Sequence, residues 1–346
     1  MNSIAVSRGD LDRLEWVGAT LATDLRDADG RIALRKGRVL QPADRGTLGD
    51  LPWRELHVVV SGADDLGERD AGAQLAQFAA GPGCRAGSPI TGHWPIVSEH
   101  RGILRVRVDA LTFVNAIGPL AVYTLYDGQV VDGGETVARA KVIPFAVALQ
   151  DLTAGGARAR EAGGLVTVVP FIATRVGSVV VESLGESAAE RFREALEEKV
   201  TWLGGEVLDP VFVASAADAV AGGISAMRDR GAGIVVVAGS RPKDPLDPTY
   251  VALDRLGALM VRRGVPAHPG SLAWLARLGQ IQIVGMPSCG LFSQATVFDL
   301  VLPRLLAGEV VGAAELAALG HGGFLTHDMT FRFPPYRRTL NRGTVE

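Results

Sequence analysis

Cysteine is scarce in this chain: Cys84 and Cys289 are the two it has in 346 residues, far apart and without a C-x-x-C spacing. That excludes a disulfide framework and a zinc site built from cysteine pairs. Long apolar runs are missing as well. No stretch approaches the ~18 apolar residues of a membrane span, and "MNSIAVSRGDLDRLEW" has acids where a signal peptide needs an apolar core. A cytoplasmic protein is expected. Nor is one sign of charge in excess: 35 Lys and Arg face 38 Asp and Glu, a formal charge of −3 with no block of like sign. Such a balance speaks against nucleic acid or an anionic membrane as partner and for a small or internal one. With 47% apolar and 21% charged residues the composition is that of a folded globular chain, long enough for two or three domains.

Three textures follow one another. Residues 1–62 alternate short extended runs with turn residues; "DADGRIALRKGRVLQPAD" reads as two strands around turns and "ELHVVV" as a closing strand of a small α+β module. Residues 63–164 open with "ADDLGERDAGAQLAQFAAG", a helix carrying Leu66, Leu75 and Phe78 on a polar surface and stopped by Gly81-Pro82-Gly83, which fits a linker or domain edge. The bursts "GILRVRVDAL", "PLAVYTLYDGQVV" and "ETVARAKVIPFAVAL" then predict a β-rich, antiparallel region with Asp127-Gly128 as a hairpin turn, closed by the glycine-rich "TAGGARAREAGG".

From 165 to 312 the rhythm becomes strand, helix, strand, helix. "RVGSVVVES" predicts a strand and "ESAAERFREALEEKVTWLGG" an amphipathic helix, with Phe192, Leu196, Val200 and Leu203 on its apolar face and Ser187 with Glu190 as a capping box. "GEVLDPVFVAS", "SAADAVAGGISAMRDRG", "GIVVVAG", "DPTYVALDRLGALMVRRG", "GQIQIVGMPSCG" and "LFSQATVFDLVLPRLLAGE" continue the alternation. The expected fold class is α/β, with a mainly parallel sheet covered on both faces, smaller β-rich modules before it and a tail, 313–346, after it.

Two loops at the carboxyl ends of predicted strands carry the candidate chemistry, for that is where open α/β folds place their ligands. In "VVVAGSRPKDPLDP", Gly239 lets backbone approach a ligand, Ser240 offers a hydroxyl, and Arg241 and Lys243 offer charge beside the N–H groups of the next helix. These are the parts of a phosphate or oxyanion site. Asp247 before Pro248 also reads as an N-cap followed by proline at the first helical position, and Asp244 is a candidate to face a ligand or metal. "VGMPSCGLFS" brings Gly285, Ser288, Gly290 and Ser293, either a ligand loop or a tight turn with a helix cap. His57, His93 and His268 share no spacing that suggests a catalytic pair or a zinc set, while His321, His327 and Asp328 in the tail could bind a metal or be solvated.

Taken in order, "VVVAGSRPKDPLDPTYVALDRLGA", "GVPAHPGSLAWL" and "IQIVGMPSCGLFSQATVFDLVLPRLLAGE" resemble the molybdopterin-binding domain, the MoaB/Mog fold shared with molybdopterin molybdenumtransferase and gephyrin. In that family a T-G-G loop, an aspartate pair, a P-G segment and a G-L-P-G-x-P-like loop surround the pterin phosphate. "VGATLATDLRD", "LRKGRVLQPAD", "AVYTLYDGQVVDGGETVARAKVIPF", "LPRLLAGE" and "LGHGGF" extend the likeness over residues 17–325, nearest to the molybdopterin-binding proteins that accompany molybdenum hydroxylases. The resemblance implies a three-layer α/β domain that binds molybdopterin or the molybdenum cofactor, for its synthesis, insertion or delivery to a molybdenum enzyme. It also implies a homo-oligomer whose N-terminal regions serve assembly or docking.

Carried over by position, Gly239 and Ser240 stand at the loop glycines, and Arg241 and Lys243 would orient the oxyanion. Asp244 and Asp247 stand at the acids that would hold Mg²⁺ and serve catalysis if molybdate is inserted. Gly270 stands in the P-G turn, and Gly285, Pro287 and Ser288 in the last loop. The chain departs from the pattern at Ala238 for the loop threonine, Ser240 for its second glycine, Glu182-Ser183 for an earlier T-G pair, and Ser288 for a glycine. Each added Cβ narrows the approach of backbone to phosphate. A carrier without turnover, a non-catalytic scaffold, and a nucleotide-binding or nucleotide-processing protein on the same fold stay open at this point. The tail has no cysteine where relatives carry them, which excludes a cysteine-ligated metal there.

Overall fold

The computed structural model describes residues 2–13, 15–143, 145–181, 185–239, 244–286 and 295–336. Of the residues singled out above, Glu182, Ser183, Ser240, Arg241, Lys243, Pro287, Ser288, Cys289, Gly290 and Ser293 lie outside the described residues. The chain forms two units, one of residues 1–99, 106–125 and 133–168, the other of 100–105, 126–132 and 169–346.

The first unit begins with strands β1 (Asn2–Ser7), β2 (Thr20–Leu21), β3 (Leu25–Arg26), β4 (Ile32–Leu34) and β5 (Glu55–Val60), and a short helix, α1 (Arg45–Asp50). The expected "ELHVVV" strand is β5, which lies between β1 and β2 and antiparallel to both. Its alternation has a direct cause: Leu56 and Val58 join Trp16, Leu21, Leu40, Leu48 and Trp53 in one core. Full burial of a large apolar side chain stabilises by about 1.5–3 kcal/mol.

Beside this core, Arg38 donates from Nη2 and Nε to the two oxygens of Asp44 (2.8 and 3.2 Å), and the Gln41 N–H adds a bond of 2.9 Å. The Arg38 bonds hold the Asp44 carboxyl below its ordinary range, against burial, which would raise it. A depressed folded pKa stabilises above the unfolded value of about 3.9 and loses that contribution as pH falls through the folded value. Melting temperature followed down an acid series should therefore fall more steeply for the wild type than for Asp44→Asn, and superimposable slopes would remove Asp44 from acid unfolding.

Further along run β6 (Asp65–Gly67), α2 (Glu68–Ala79), β7 (Cys84–Ala86), β8 (Trp94–Ser98), β9 (Gly102–Val106), α3 (Val108–Ala116), β10 (Leu120–Thr124), β11 (Val130–Val131), β12 (Thr136–Val142), β13 (Ala146–Ala148), α4 (Leu149–Glu161) and β14 (Val166–Pro170). β10, β12, β8 and β7 form one antiparallel sheet. Asp127 and Gly128 are indeed the centre of a turn, closed by Gln129 N–H to the Tyr126 carbonyl (3.2 Å) with Gly128 at φ +82°. The strands around it are not each other's partners, so it is not a hairpin: β10 pairs with β12, and β11 with β9.

Helices are the part of this region that composition hides. "VDALTFVNA" forms α3, and the glycine-rich stretch runs on as α4. Gly155 and Gly156 permit close packing there, since a Cβ would come within 2.8 Å of Leu120 and 2.5 Å of the Phe78 ring. On α2 the residues Ala71, Gly72, Leu75, Ala76 and Ala79 are buried, with Gly72 against the Trp94 ring.

The second unit continues with β15 (Arg175–Val180), α5 (Glu186–Trp202), β16 (Glu206–Val207), β17 (Val211–Phe212), α6 (Ala217–Asp229), β18 (Ile234–Ala238), α7 (Pro248–Arg255), β19 (Leu259–Arg263), β20 (Trp274–Leu278), β21 (Ile281–Met286), α8 (Val297–Leu306) and α9 (Ala313–Ala318). Its sheet has the order β16-β15-β18-β21-β20-β19, with β17 also beside β15. β16, β17 and β18 run parallel to β15, and β21 runs parallel to β18. β20 is antiparallel to β21, and β19 to β20. The sheet is therefore mixed: β16, β17, β15, β18 and β21 are parallel, in keeping with the mainly parallel sheet expected from the rhythm, while the pairings of β20 with β21 and β19 are antiparallel. The reason is local: Leu278 pairs with Ile281 across Gly279-Gln280, with Gly279 at φ +58°, and a two-residue connection can only reverse the chain.

Alternate residues of these strands feed two cores. Val176, Val180, Ile234, Val236, Val284 and Met286 meet Phe192, Leu196 and Val200 of α5 and Phe298, Val301 and Leu302 of α8. Val179, Val235, Val237 and Ile283 meet Val220, Ile224 and Met227 of α6 and Tyr250 and Leu253 of α7. Strands covered on both faces need apolar residues at every position, hence the unbroken valine run of β18. All four residues expected on the apolar face of α5 are buried. Its expected capping box is not formed, because the helix starts two residues earlier with Gly185 as N-cap. Ser187 instead accepts from Arg191 (2.8 Å) and Glu190 from Arg193 (3.0 Å). Residues expected as a tail are partly built in, with Leu316, Leu325 and Tyr336 buried. Among the described residues no helix is long and apolar enough to cross a membrane.

Candidate functional site

Val180, Ala238 and Met286 stand at one level of the sheet, Val180 paired with Ala238 and Ala238 with Met286. Residues 182–184, 240–243 and 287–294 thus follow the carboxyl ends of three neighbouring parallel strands. From β15 the chain goes on to α5 on one face, from β18 to α7 on the other, and from β21 to α8 on the first face again. Neighbouring strands whose connections part to opposite faces leave a crevice between their ends, the usual ligand position in such sheets. β18 has such a neighbour on each side.

The expected residues divide by what surrounds them. Gly239, directly after β18, is buried at φ +83°, a backbone conformation glycine adopts without strain. Asp244 is exposed, and its Oδ1 accepts from the Leu246 N–H (2.9 Å). Asp247 is 3% exposed and caps α7, its Oδ1 accepting from the Thr249 N–H (2.8 Å) with Pro248 at the first helical position. Its own N–H donates to the Asp244 carbonyl (3.1 Å), which ties the two acids into one turn. Gly270, at φ +109°, lies against α8: a Cβ would come within 2.9 Å of the Val297 nitrogen, and the Val297 N–H donates to the Pro269 carbonyl (3.1 Å). The P-G turn and the helix that follows residues 287–294 are therefore in contact.

Gly285 has a different neighbour. It is buried within β21 opposite Trp274, and a Cβ there would fall 1.8 Å from the indole Cε2. This glycine makes room for a tryptophan. In the tail, His321 and Asp328 belong to no group of three or more possible metal ligands, and no such group occurs among the described residues. Cys84 is held as a thiol, pushed up to about 11 by burial and then by Glu99.

Two clusters escaped the sequence reading. At the start of α8, Thr296 Oγ1 accepts from the Phe298 N–H (3.2 Å) while Asp299 Oδ2 accepts from the Thr296 N–H (2.8 Å). The other Asp299 oxygen lies 2.7 Å from Lys199 Nζ, and the two side chains are 0% and 5% exposed. Lys199 also faces the rings of Phe298 and Tyr336, at 5.8 and 5.7 Å, and Tyr336 packs edge-on to Trp202. Burial, then Asp299 and Glu198, push the Tyr336 hydroxyl well above its ordinary value. The one signal in the sequence is a lone aspartate in the apolar "ATVFDLVL". On the opposite face Tyr250, 2% exposed, packs edge-on to Trp274 at 5.9 Å and carries the Arg263 guanidinium 4.0 Å from its ring centre.

No family model matches the chain, and no curated protein does. Among solved structures, the molybdopterin biosynthesis MoeA protein from Pyrococcus horikosii is 14% identical, over 71% of this chain and 75% of that one, with a TM-score of 0.30. A molybdenum cofactor biosynthesis protein B is 13% identical, over 44% and 98%, at 0.28. A molybdenum cofactor biosynthesis protein from Corynebacterium diphtheriae is 14% identical, over 39% and 94%, at 0.27.

Around the end of β18 the chain combines a glycine at positive φ, a capped helix start and a point where the connections of neighbouring strands part to opposite faces. Chemically that arrangement suits an anion held by backbone N–H groups.

Proposed function

We propose that this chain binds molybdopterin or the molybdenum cofactor, in the cofactor's synthesis or in its insertion into, or delivery to, a molybdenum enzyme. The observation that carries the reading is the common level at which β15, β18 and β21 end. The segments that resemble the molybdopterin-binding pattern follow one level of three neighbouring strands, and Gly270 packs on the helix after the last of them. The fold by itself requires strands and helices at these places. It does not require glycine, hydroxyl and two cations after β18, or a P-G turn beside α8.

In this reading Gly239 and Ser240 bring backbone to the pterin phosphate, Arg241 and Lys243 supply its counter-charges, and Gly270, Pro287 and Ser288 complete the far side. Gly285 acts at one remove, through Trp274. The two acids differ in fitness for a metal. Asp247 is buried and committed to its cap, whereas Asp244 is exposed and suits a Mg²⁺ that takes its other ligands from phosphate and water. Bound there, the ion would neutralise phosphate charge. The Cβ of Ser240 narrows the approach to phosphate and favours carriage over turnover. The same proposal includes a three-layer MoaB/Mog-like domain over 165–312, residues 1–62 and 63–164 as assembly or docking modules, a homo-oligomer, and a cytoplasmic location.

Anaerobic titration calorimetry with molybdopterin, its adenylylated form and ATP, each with and without Mg²⁺, tests this. Saturable binding of a pterin form is expected. Binding of ATP alone would assign the crevice to nucleotides, and binding of none would leave a scaffold.

A further inference from the structure

Arg263 ends β19 on the same edge of the sheet as the loops just described. It faces Trp274, Trp274 faces Gly285, and Gly285 faces Val237, one residue before the level at which β18 and β21 end. Its guanidinium rests on the Tyr250 ring, and that ring is buried and wedged against Trp274, so the charge is held in a defined place. Burial pushes the Tyr250 hydroxyl up although Arg263 pulls it down, so the phenol stays neutral and does not cancel the cation. Among the described residues Arg263 has no carboxylate partner, and it is exposed. A guanidinium stacked on one face keeps its N–H edges free to take an oxyanion bidentately.

We propose that Arg263 is a second anion-binding residue of this crevice, holding a phosphoryl or other oxyanion group of the ligand that the loop after β18 receives. The proposal rests on the reading of that loop as an oxyanion site. Three strand spacings of about 4.8 Å, roughly 14 Å in all, separate the backbones of Arg263 and Val237. Arg263 therefore serves a different group of the ligand from the one at Gly239, and the ligand is an extended one.

Arg263→Gln and Arg263→Lys, compared with the wild type by titration with molybdopterin, provide the test. About tenfold weaker binding is expected for Arg263→Gln, and a smaller loss for Arg263→Lys, which keeps the charge but not the planar fork. A loss in Arg263→Lys at the wild-type melting temperature is a result that a merely structural arginine does not produce. Unchanged affinity in Arg263→Gln overturns the proposal and leaves the pterin reading standing. If the wild type takes no pterin form, that reading has failed and Arg263 is tested alone with inorganic tripolyphosphate. Binding by the wild type that Arg263→Gln weakens upholds the proposal; equal binding, or none, overturns it.

Discussion

Lys199→Met is expected to destabilise the protein by about 3–5 kcal/mol, because it strands the Asp299 carboxylate where neither partner is more than 5% exposed. For a unit of this size that corresponds to a fall of roughly 6–20 °C in melting temperature, measurable by scanning calorimetry. The effect is specific to the unpaired charge. Adding Asp299→Asn should recover most of the loss, since an amide oxygen still accepts the Thr296 N–H while carrying no charge. A single-variant loss below about 1 kcal/mol would mean that water reaches the pair and that it behaves as a surface ion pair does. The consequence extends to the site: Thr296 is the N-cap of the helix that follows residues 287–294, so loosening Asp299 should weaken ligand binding as well.

Gly285→Ala carries the second large expectation. The new methyl would lie 1.8 Å from Trp274 Cε2 and 2.0 Å from its Nε1, so the indole has to leave its place between β21 and Tyr250. Overpacking of this severity costs about 3 kcal/mol, the upper end of the usual range. Pairing it with Trp274→Leu should relieve the clash, and stability of the double variant should then match that of Trp274→Leu alone. The comparison separates two roles. A glycine needed for the tryptophan is rescued by the second change. A glycine needed for a ligand would leave Gly285→Ala stable and unable to bind.

How much of this was legible depended on whether the cause was local. β15, β18 and β21 could be read because both of their faces are covered, which leaves runs such as Val235, Val236 and Val237. The apolar face of α5 could be read for the same kind of reason. β19 and β20 were lost because Arg262, Arg263 and Arg277 interrupt their apolar pattern, and the mixed sheet was lost with them. The two-residue turn Gly279-Gln280 between "LARL" and "IQIV" held that information. α4 was hidden because glycine opposes helix propensity, while Gly155 and Gly156 answer to Leu120 and Phe78, neighbours distant in sequence. At the site, the glycine after β18 and the Asp247-Pro248 helix start are local signals and stood out. The Lys199–Asp299 pair, the partner of Gly285 and the seat of Arg263 depend on strand register and long-range packing, which no short motif encodes.

The most direct test is titration of molybdopterin into the wild type and into the double variant Arg241→Ala/Lys243→Ala, in parallel and under anaerobic conditions. Saturable binding by the wild type that the double variant abolishes, with both proteins melting at the same temperature, is the predicted result. Binding that survives removal of both cations, or a wild type that takes no pterin at all, would contradict the assignment of the crevice after β18 as the cofactor site.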